Sequence, residues 1–136
     1  MTKDAFRSHC PINYAQEIFG DRWSLLIIRD LLFKKKRRYA EFLTSEENIS
    51  TNILADRLER LEKFGLIEKI ISKESPPRGQ YSLTQKGVDL LPILLEVILW
   101  SAKHDDKTEA PPEFISRLKK NRTKVAAQIR LEVSGR

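Results

Sequence analysis

The sequence predicts a mainly α-helical chain with one small β-hairpin, an α+β order of the winged helix-turn-helix kind with flanking helices. Three observations carry this. Residues 49–66, ISTNILADRLERLEKFGL, read as a short helix sharply delimited at both ends. A shorter amphipathic helix lies just ahead of it across an acidic turn. Two short runs rich in β-branched residues follow, separated by a proline-containing tip.

The delimited helix is read first. Ser50 is its N-cap, with a hydroxyl able to accept from the free amides of the first turn. Ile49 and Leu54 stand at the two positions of a hydrophobic staple. Gly65 suits the left-handed position after the helix, with Leu66 placed to touch Leu61 in a Schellman stop. Leu54, Leu58 and Leu61 keep helical spacing on the face to be buried. Thr51, Asn52, Ala55, Asp56, Glu59, Arg60 and Lys63 fall on the displayed side.

The remaining elements follow in chain order. Residues 1–9 are polar and are expected to be loose. Cys10 and Pro11 read as N-cap and first residue of a helix that runs to about Phe19 and stops at Gly20. Asp21 caps a second helix, residues 22 to about 33, whose Trp23, Leu26, Ile27, Ile28, Leu31 and Leu32 make it a central core helix. Five basic residues, Lys34 to Arg38, lead into the short helix at 39–43, and Ser45-Glu46-Glu47-Asn48 forms the acidic turn. Strands are expected at 66–71 and 80–83 around a turn at 73–79. Thr84 caps a long helix reaching about Lys103 and kinked at Pro92, with Leu83 and Val88 as its staple. Residues 104–112 read as a linker. A final helix at about 113–133 places Phe114, Leu118, Val125, Ile129 and Val133 on one stripe and basic residues elsewhere.

Composition bounds the function. A chain of 136 residues is long enough for one real core, and 40% hydrophobic with 32% charged residues is ordinary for a soluble domain. One cysteine allows no internal disulfide, which suits a reducing compartment, and the start lacks the apolar core of a signal peptide. A cytoplasmic protein is expected. No apolar run is long enough for a bilayer, since Pro92 and Glu96 interrupt the longest. The net charge of +6 is uneven: residues 1–106 hold 17 Lys/Arg against 16 Asp/Glu, and residues 107–136 hold 8 against 3. Residues 1–106 are thus nearly neutral, so bulk charge alone does not make them a nucleic-acid binder, and 107–136 read as a linker and basic amphipathic C-terminal helix. Two histidines, no metal-ligand cluster, no Gly-rich phosphate loop and no nucleophile with an evident base argue against an enzyme, and no metal or cofactor is expected.

The order of elements and several separate motifs resemble the HxlR-type transcriptional regulators, relatives of the MarR type. The matching residues are Cys10-Pro11, the run GDRWSLLIIRDLL from Gly20 to Leu32, and Arg37-Arg38-Tyr39-Ala40-Glu41-Phe42. Further matches are Ile49-Ser50, Leu54, Arg57-Leu58, Leu61-Glu62, Gly65-Leu66-Ile67, Pro77-Arg78 and Tyr81-Ser82-Leu83-Thr84. The resemblance covers roughly residues 10–100. It implies a homodimer that presents two recognition helices to a pseudo-palindrome in double-stranded DNA. Three differences stand out. Three lysines precede Arg37 where the family has a Gly-containing turn, Asp56 is acidic where the family carries a neutral or basic residue, and the chain continues past His104.

On this reading Thr51, Asn52, Ala55 and Asp56 face base edges, Asn52 with the bidentate geometry for adenine and Thr51 with a methyl for thymine. Lys36, Arg37, Arg38, Tyr39, Ser50, Arg57 and Arg60 meet the DNA backbone. Lys73 and Arg78 flank the prolines of the wing, where Arg78 suits a minor groove. Arg57 has a second reading, snorkelling over the core and pairing with a nearby glutamate. The apolar residues from Leu90 to Trp100 surround their helix, which makes it either a monomer core or part of a dimer interface. Cys10, at a helix N-terminus with Arg7 and His9 close in sequence, reads either as an inert buried cap or as a reactive thiol. In some family members a cysteine at this place senses oxidants or electrophiles, which implies a small reactive effector such as an oxidant or aldehyde. The basic tail could cross to a partner, add non-specific DNA affinity, or do both. The competing function is a winged helix that docks an acidic protein without reading DNA.

Overall fold

Caps decide where the elements of this chain stop, and most of them are visible as local sequence. In the computed structural model, which describes residues 5–135, the order is α1 (Pro11–Phe19), α2 (Ser24–Leu32), α3 (Tyr39–Phe42), α4 (Thr51–Lys63), β1 (Ile67–Ile71), β2 (Gly79–Leu83), α5 (Gln85–Val88), α6 (Leu91–His104), α7 (Pro112–Lys120) and α8 (Arg122–Ser134). The two ends of α4 form as read. Ser50 Oγ accepts from Ile53 N at 3.2 Å. Gly65 adopts φ +78°, Leu66 N donates to Leu61 O at 2.9 Å, and Gly65 N donates to Glu62 O at 3.0 Å, the paired bonds of a Schellman stop. Leu54, Leu58 and Leu61 are buried beneath the helix. Cys10 and Gly20 bound α1 as expected.

The chain divides into two compact units, the first ending at Gly87 and the second beginning at Val88. This packing division is distinct from the functional division expected at 106/107. In the first unit, Ile27, Ile28, Leu31 and Leu32 of α2, Phe42 of α3, the three leucines of α4, and Leu66, Ile67 and Tyr81 form the core. The strands pair antiparallel in a register that sets Ile67 opposite Leu83 and Ile71 opposite Gly79. Ile70 and Ile71 lie exposed on the outer part of the hairpin. In the second unit, Leu91, Leu94 and Leu95 of α6 are buried, as are Leu118 of α7 and Val125, Ala126 and Ile129 of α8. Among the described residues no helix is long and apolar enough to cross a membrane.

Four expectations need correction. The second helix begins at Ser24, two residues late, because Asp21 holds residues 21–23 in a bend: its carboxylate accepts from Trp23 N at 3.0 Å and Ser24 N at 3.1 Å. Trp23 and Leu26 are consequently only half-buried. The helix after Thr84 is broken rather than kinked. Pro92 has no amide to offer Val88 and its ring would strike that carbonyl, so α5 ends at Val88 and Pro92 takes a first-turn position in α6, where no donor is needed. The last helix is also two helices. Asn121 is extended (φ −154°, ψ 81°), and its side chain caps α8 by accepting from Lys124 N at 3.1 Å. The linker shrinks to residues 105–111, since His104 closes α6 and Pro112 opens α7.

The expected looseness of residues 1–9 is corrected in part. Residues 1–4 lie outside the described residues, but Phe6 packs its ring against Tyr14 and Phe64, with centroids 5.2 and 6.2 Å away, and Arg7 N donates to Glu17 at 2.9 Å.

Gly87 carries a constraint of a different kind from Gly65. A Cβ built on Gly87 would lie 2.1 Å from Leu66 O, whereas one on Gly65 meets nothing and is opposed only by the positive φ. We expect Gly65→Ala to cost about 1 kcal/mol and Gly87→Ala about 3 kcal/mol in urea denaturation at 25 °C. Equal costs would contradict the close approach of α5 to the start of β1.

Candidate nucleic-acid interface

The first turn of α4 presents Ser50, Thr51, Asn52, Ala55 and Asp56 together as an exposed polar face. The short helix α3 is sewn to it: Tyr39 Oη donates to Thr51 O at 2.9 Å, so this predicted backbone contact already fixes the start of the recognition helix. Glu41 closes the N-terminus of α3 by accepting from Arg37 N and Arg38 N at 3.1 and 2.9 Å. Arg37 O accepts from Tyr81 N at 2.7 Å, which ties the root of the wing to the same segment.

The basic run is organised by a buried acid that sequence reading passed over. Asp30, 3% exposed, accepts from Arg29 Nε at 3.0 Å and from Ser45 Oγ at 2.8 Å. Its backbone carbonyl accepts from Lys34 N and Lys36 N. That loop forces Lys35 to φ +58°, a left-handed conformation that favours glycine and is here taken by a lysine. Lys36 does not face solvent freely: its ammonium donates to Ser45 Oγ at 2.7 Å and lies 3.9 Å from Asp30. Arg29 also holds both oxygens of Glu47, at 2.8 and 3.0 Å, so the acidic turn is fastened to α2. The hydrogen bond from Arg29 holds the Glu47 carboxyl below its ordinary value.

The arginines of α4 turn inward. Arg57 Nε donates to Asp21 at 2.8 Å, and its guanidinium also pairs with Asp56. The second reading of Arg57 is thus the one its geometry follows, with aspartates in place of a glutamate. Burial pushes the Asp21 carboxyl up, but hydrogen bonds from Ser24 Oγ, Trp23 N, Arg57 and Ser24 N outweigh it and bring it down to about 2. Arg60 donates to Glu17 O at 3.0 Å, at the end of α1. Lys86 donates to Phe64 O at 2.9 Å and Tyr14 Oη at 3.2 Å, fixing the other end of α4. These anchors join residues 22 to 72 positions apart, and no local pattern announces them.

At the wing, Lys73 and Arg78 are exposed. The tip is closed by Ser72 N to Arg78 O and Arg78 N to Ser72 Oγ, both 2.8 Å. Glu74 lies 3.8 Å from both Arg38 and Arg78, linking the wing to the segment before α3.

Cys10 is exposed, so it is not a buried cap. The backbone amides of Asn13 and Ile12, at the start of α1, lower its thiol below the ordinary value. Arg7 and His9 are engaged elsewhere. Arg7 donates to Asn13 Oδ1 at 2.8 Å and lies 3.4 Å from Glu17, and the His9 ring packs on Phe6.

A short helix crossing to a capped helix with an exposed polar first turn, followed by an antiparallel wing, defines a winged helix-turn-helix transcriptional regulator. Residues 18–109 match the model of the HxlR-like helix-turn-helix family, and the chain belongs to that family. It is 38% identical over 86 residues to the uncharacterized HTH-type transcriptional regulator sll1512 of Synechocystis sp., a match that spans 63% of each chain. It is 37% identical over 98 residues to the regulator YvaP of Bacillus subtilis, covering 71% of this chain and 90% of that one. Among solved structures, it resembles the reduced form of the regulator YodB from B. subtilis with TM-score 0.62 and 29% identity, over 74% of this chain and 97% of that one. The redox regulator HypR in its oxidised form gives TM-score 0.65 and 28% identity, over 71% and 99%. The family and these relatives are transcriptional regulators, not enzymes.

The Asp21–Arg57 pair yields a pH prediction. The folded carboxyl lies below its unfolded value, so its contribution is complete above about pH 4 and is lost as pH falls towards about 2. Asp21→Asn is expected to cost about 2 kcal/mol at pH 7, and the gap to the parent protein should close between about pH 4 and 2. Urea denaturation across that range checks it, and a gap independent of pH would contradict it.

Proposed function

We propose that the protein is a homodimer that binds a pseudo-palindromic operator in double-stranded DNA, with residues 1–106 carrying recognition and dimerisation. The observation that carries this is the first turn of α4, which exposes Thr51, Asn52, Ala55 and Asp56 and no large apolar side chain, while its buried face is closed. Asn52 offers a donor and an acceptor to adenine, Thr51 a methyl to thymine, and Asp56 an acceptor to the amino group of cytosine. Ser50, Arg37, Arg38 and the exposed Lys35 face the phosphates, with Lys73 and Arg78 on the wing. Lys36, Arg57 and Arg60 support the interface from behind by fixing the loop and the helix, and Tyr39 fixes the first turn.

A second copy is supported by apolar surface that one chain leaves open. On α6, Ile93, Val97 and Trp100 are 43%, 46% and 65% exposed and follow helical spacing, and Ile12 on α1 is 75% exposed. Isolated exposed apolar residues are ordinary, but an aligned stripe ending in a tryptophan is the kind of surface a symmetric partner covers.

Cys10 is the switch in this reading. Its exposure and lowered thiol value favour the thiolate, which is the species that reacts. Two Cys10 thiols from the two protomers can join in a disulfide as they pass two electrons and two protons to an oxidant such as diamide. Alternatively, one thiolate adds to the carbonyl carbon of an aldehyde and the oxygen takes a proton. YodB has been solved both reduced and diamide-treated, and HypR is a redox regulator.

One assay tests both parts: binding to operator duplexes with single base changes, with and without diamide. Asn52→Ala should lose about 1–3 kcal/mol of discrimination at one base pair per half-site. Diamide should change the affinity of the parent protein and leave Cys10→Ser unaffected. Unaltered discrimination in Asn52→Ala sinks its base-reading role, and an equal diamide response in Cys10→Ser sinks the switch.

A further inference from the structure

The family match ends at residue 109, so α7 and α8 lie beyond it. The turn between them reads Lys119-Lys120-Asn121-Arg122-Thr123-Lys124, four cations in six residues, all of them exposed. Arg122 is held by Glu96 of α6. Lys119, Lys120 and Lys124 have no ion-pair partner among the described residues. Arg117, one turn earlier, reaches only the neutral Gln128, at 3.5 Å.

The placement is costly for the fold alone. Lys119 and Lys120 suit the C-terminal end of α7, but Arg122 and Lys124 occupy the first turn of α8, where the helix dipole disfavours positive charge; Glu96 pairs with Arg122, and no acidic residue of that turn offsets Lys124. Lys124, so placed and without an ion-pair partner among the described residues, breaks a local rule, as is expected at an interaction surface. The surface is also the wrong kind for a protein partner: the apolar residue within it, Leu118, is buried, and no aromatic anchor stands beside the cations. Exposed ammonium groups joined by the amide of Asn121 and the hydroxyl of Thr123 match a row of phosphates instead.

Several cations of the winged unit are engaged within it, while Lys34, Lys35 and Lys73 stay exposed. Lys36 is bonded to Ser45, Arg57 to Asp21 and Asp56, and Arg38 and Arg78 share Glu74. Residues 1–106 sum to +1 and residues 107–136 to +5. From this we infer that the turn at 119–124 is a second, sequence-independent DNA contact that grips the phosphate backbone outside the operator-reading face. The inference rests on the proposed DNA binding and adds a further source of its salt-dependent affinity.

The test compares the full-length protein with Lys119→Gln/Lys120→Gln/Lys124→Gln, a replacement that keeps helix propensity close to that of lysine. Binding to an operator duplex and to an unrelated duplex of equal length is measured across a series of salt concentrations, and circular dichroism confirms equal helix content. The slope of log affinity against log salt should fall by about 2–3 per chain for the triple variant. Operator and unrelated duplex should weaken by the same factor, so their ratio holds. An unchanged slope with operator binding intact overturns the inference and leaves the DNA reading standing. A changed affinity for polyglutamate with an unchanged DNA slope assigns the turn to an acidic protein and also overturns it. A parent protein that binds neither duplex overturns the DNA reading itself.

Discussion

The carboxylate of Asp21 serves two helices at once. It accepts from the amides that open α2, and it receives the guanidinium of Arg57 from the middle of α4. With Arg60 on the last residues of α1 and Lys86 on the C-terminal carbonyl of α4, the recognition helix is fixed at its centre and its end by charged side chains. Three leucines seat α4 on the core, but apolar packing alone tolerates sliding and rotation. Directional contacts to Asp21 and Glu17 remove that freedom. They also connect α4 to α1, whose N-cap is Cys10, so the thiol lies a short covalent and hydrogen-bonded path from α4.

Holding the helix this way engages part of the positive charge. Lys36, Arg38, Arg57 and Arg78 all lie beside acids or hydroxyls of the same unit, while Lys34, Lys35 and Lys73 stay exposed and residues 1–87 sum to +4. A further +5 sits beyond the family match, in residues 110–136.

Much of this fold was legible because its boundaries are local. Ser50, Gly65, Cys10-Pro11 and Thr84 act on residues within four positions, and a single sequence displays them. The misreadings have the same root. Pro92 was seen, but kink or break depends on whether the preceding turn is supported. Asn121 was passed over because Leu118, Val125 and Ile129 keep a helical period straight through it. Gly87 and Asp30 gave no signal, since a close backbone approach and a buried acid are properties of distant partners. The candidate site was legible only as a list of residues. The cross-chain pairings that turn Arg57 and Arg60 inward and leave Thr51 and Asn52 outward arise from the fold.

The central claim is that an ordered polar helix turn, doubled by a dimer, reads DNA sequence. Selection of genomic fragments by the purified protein at about physiological salt tests it most directly. Enrichment of one short inverted repeat, with half-sites about one helical turn apart, is the predicted result. Uniform recovery of fragments, weakening with salt and blind to sequence, would contradict it.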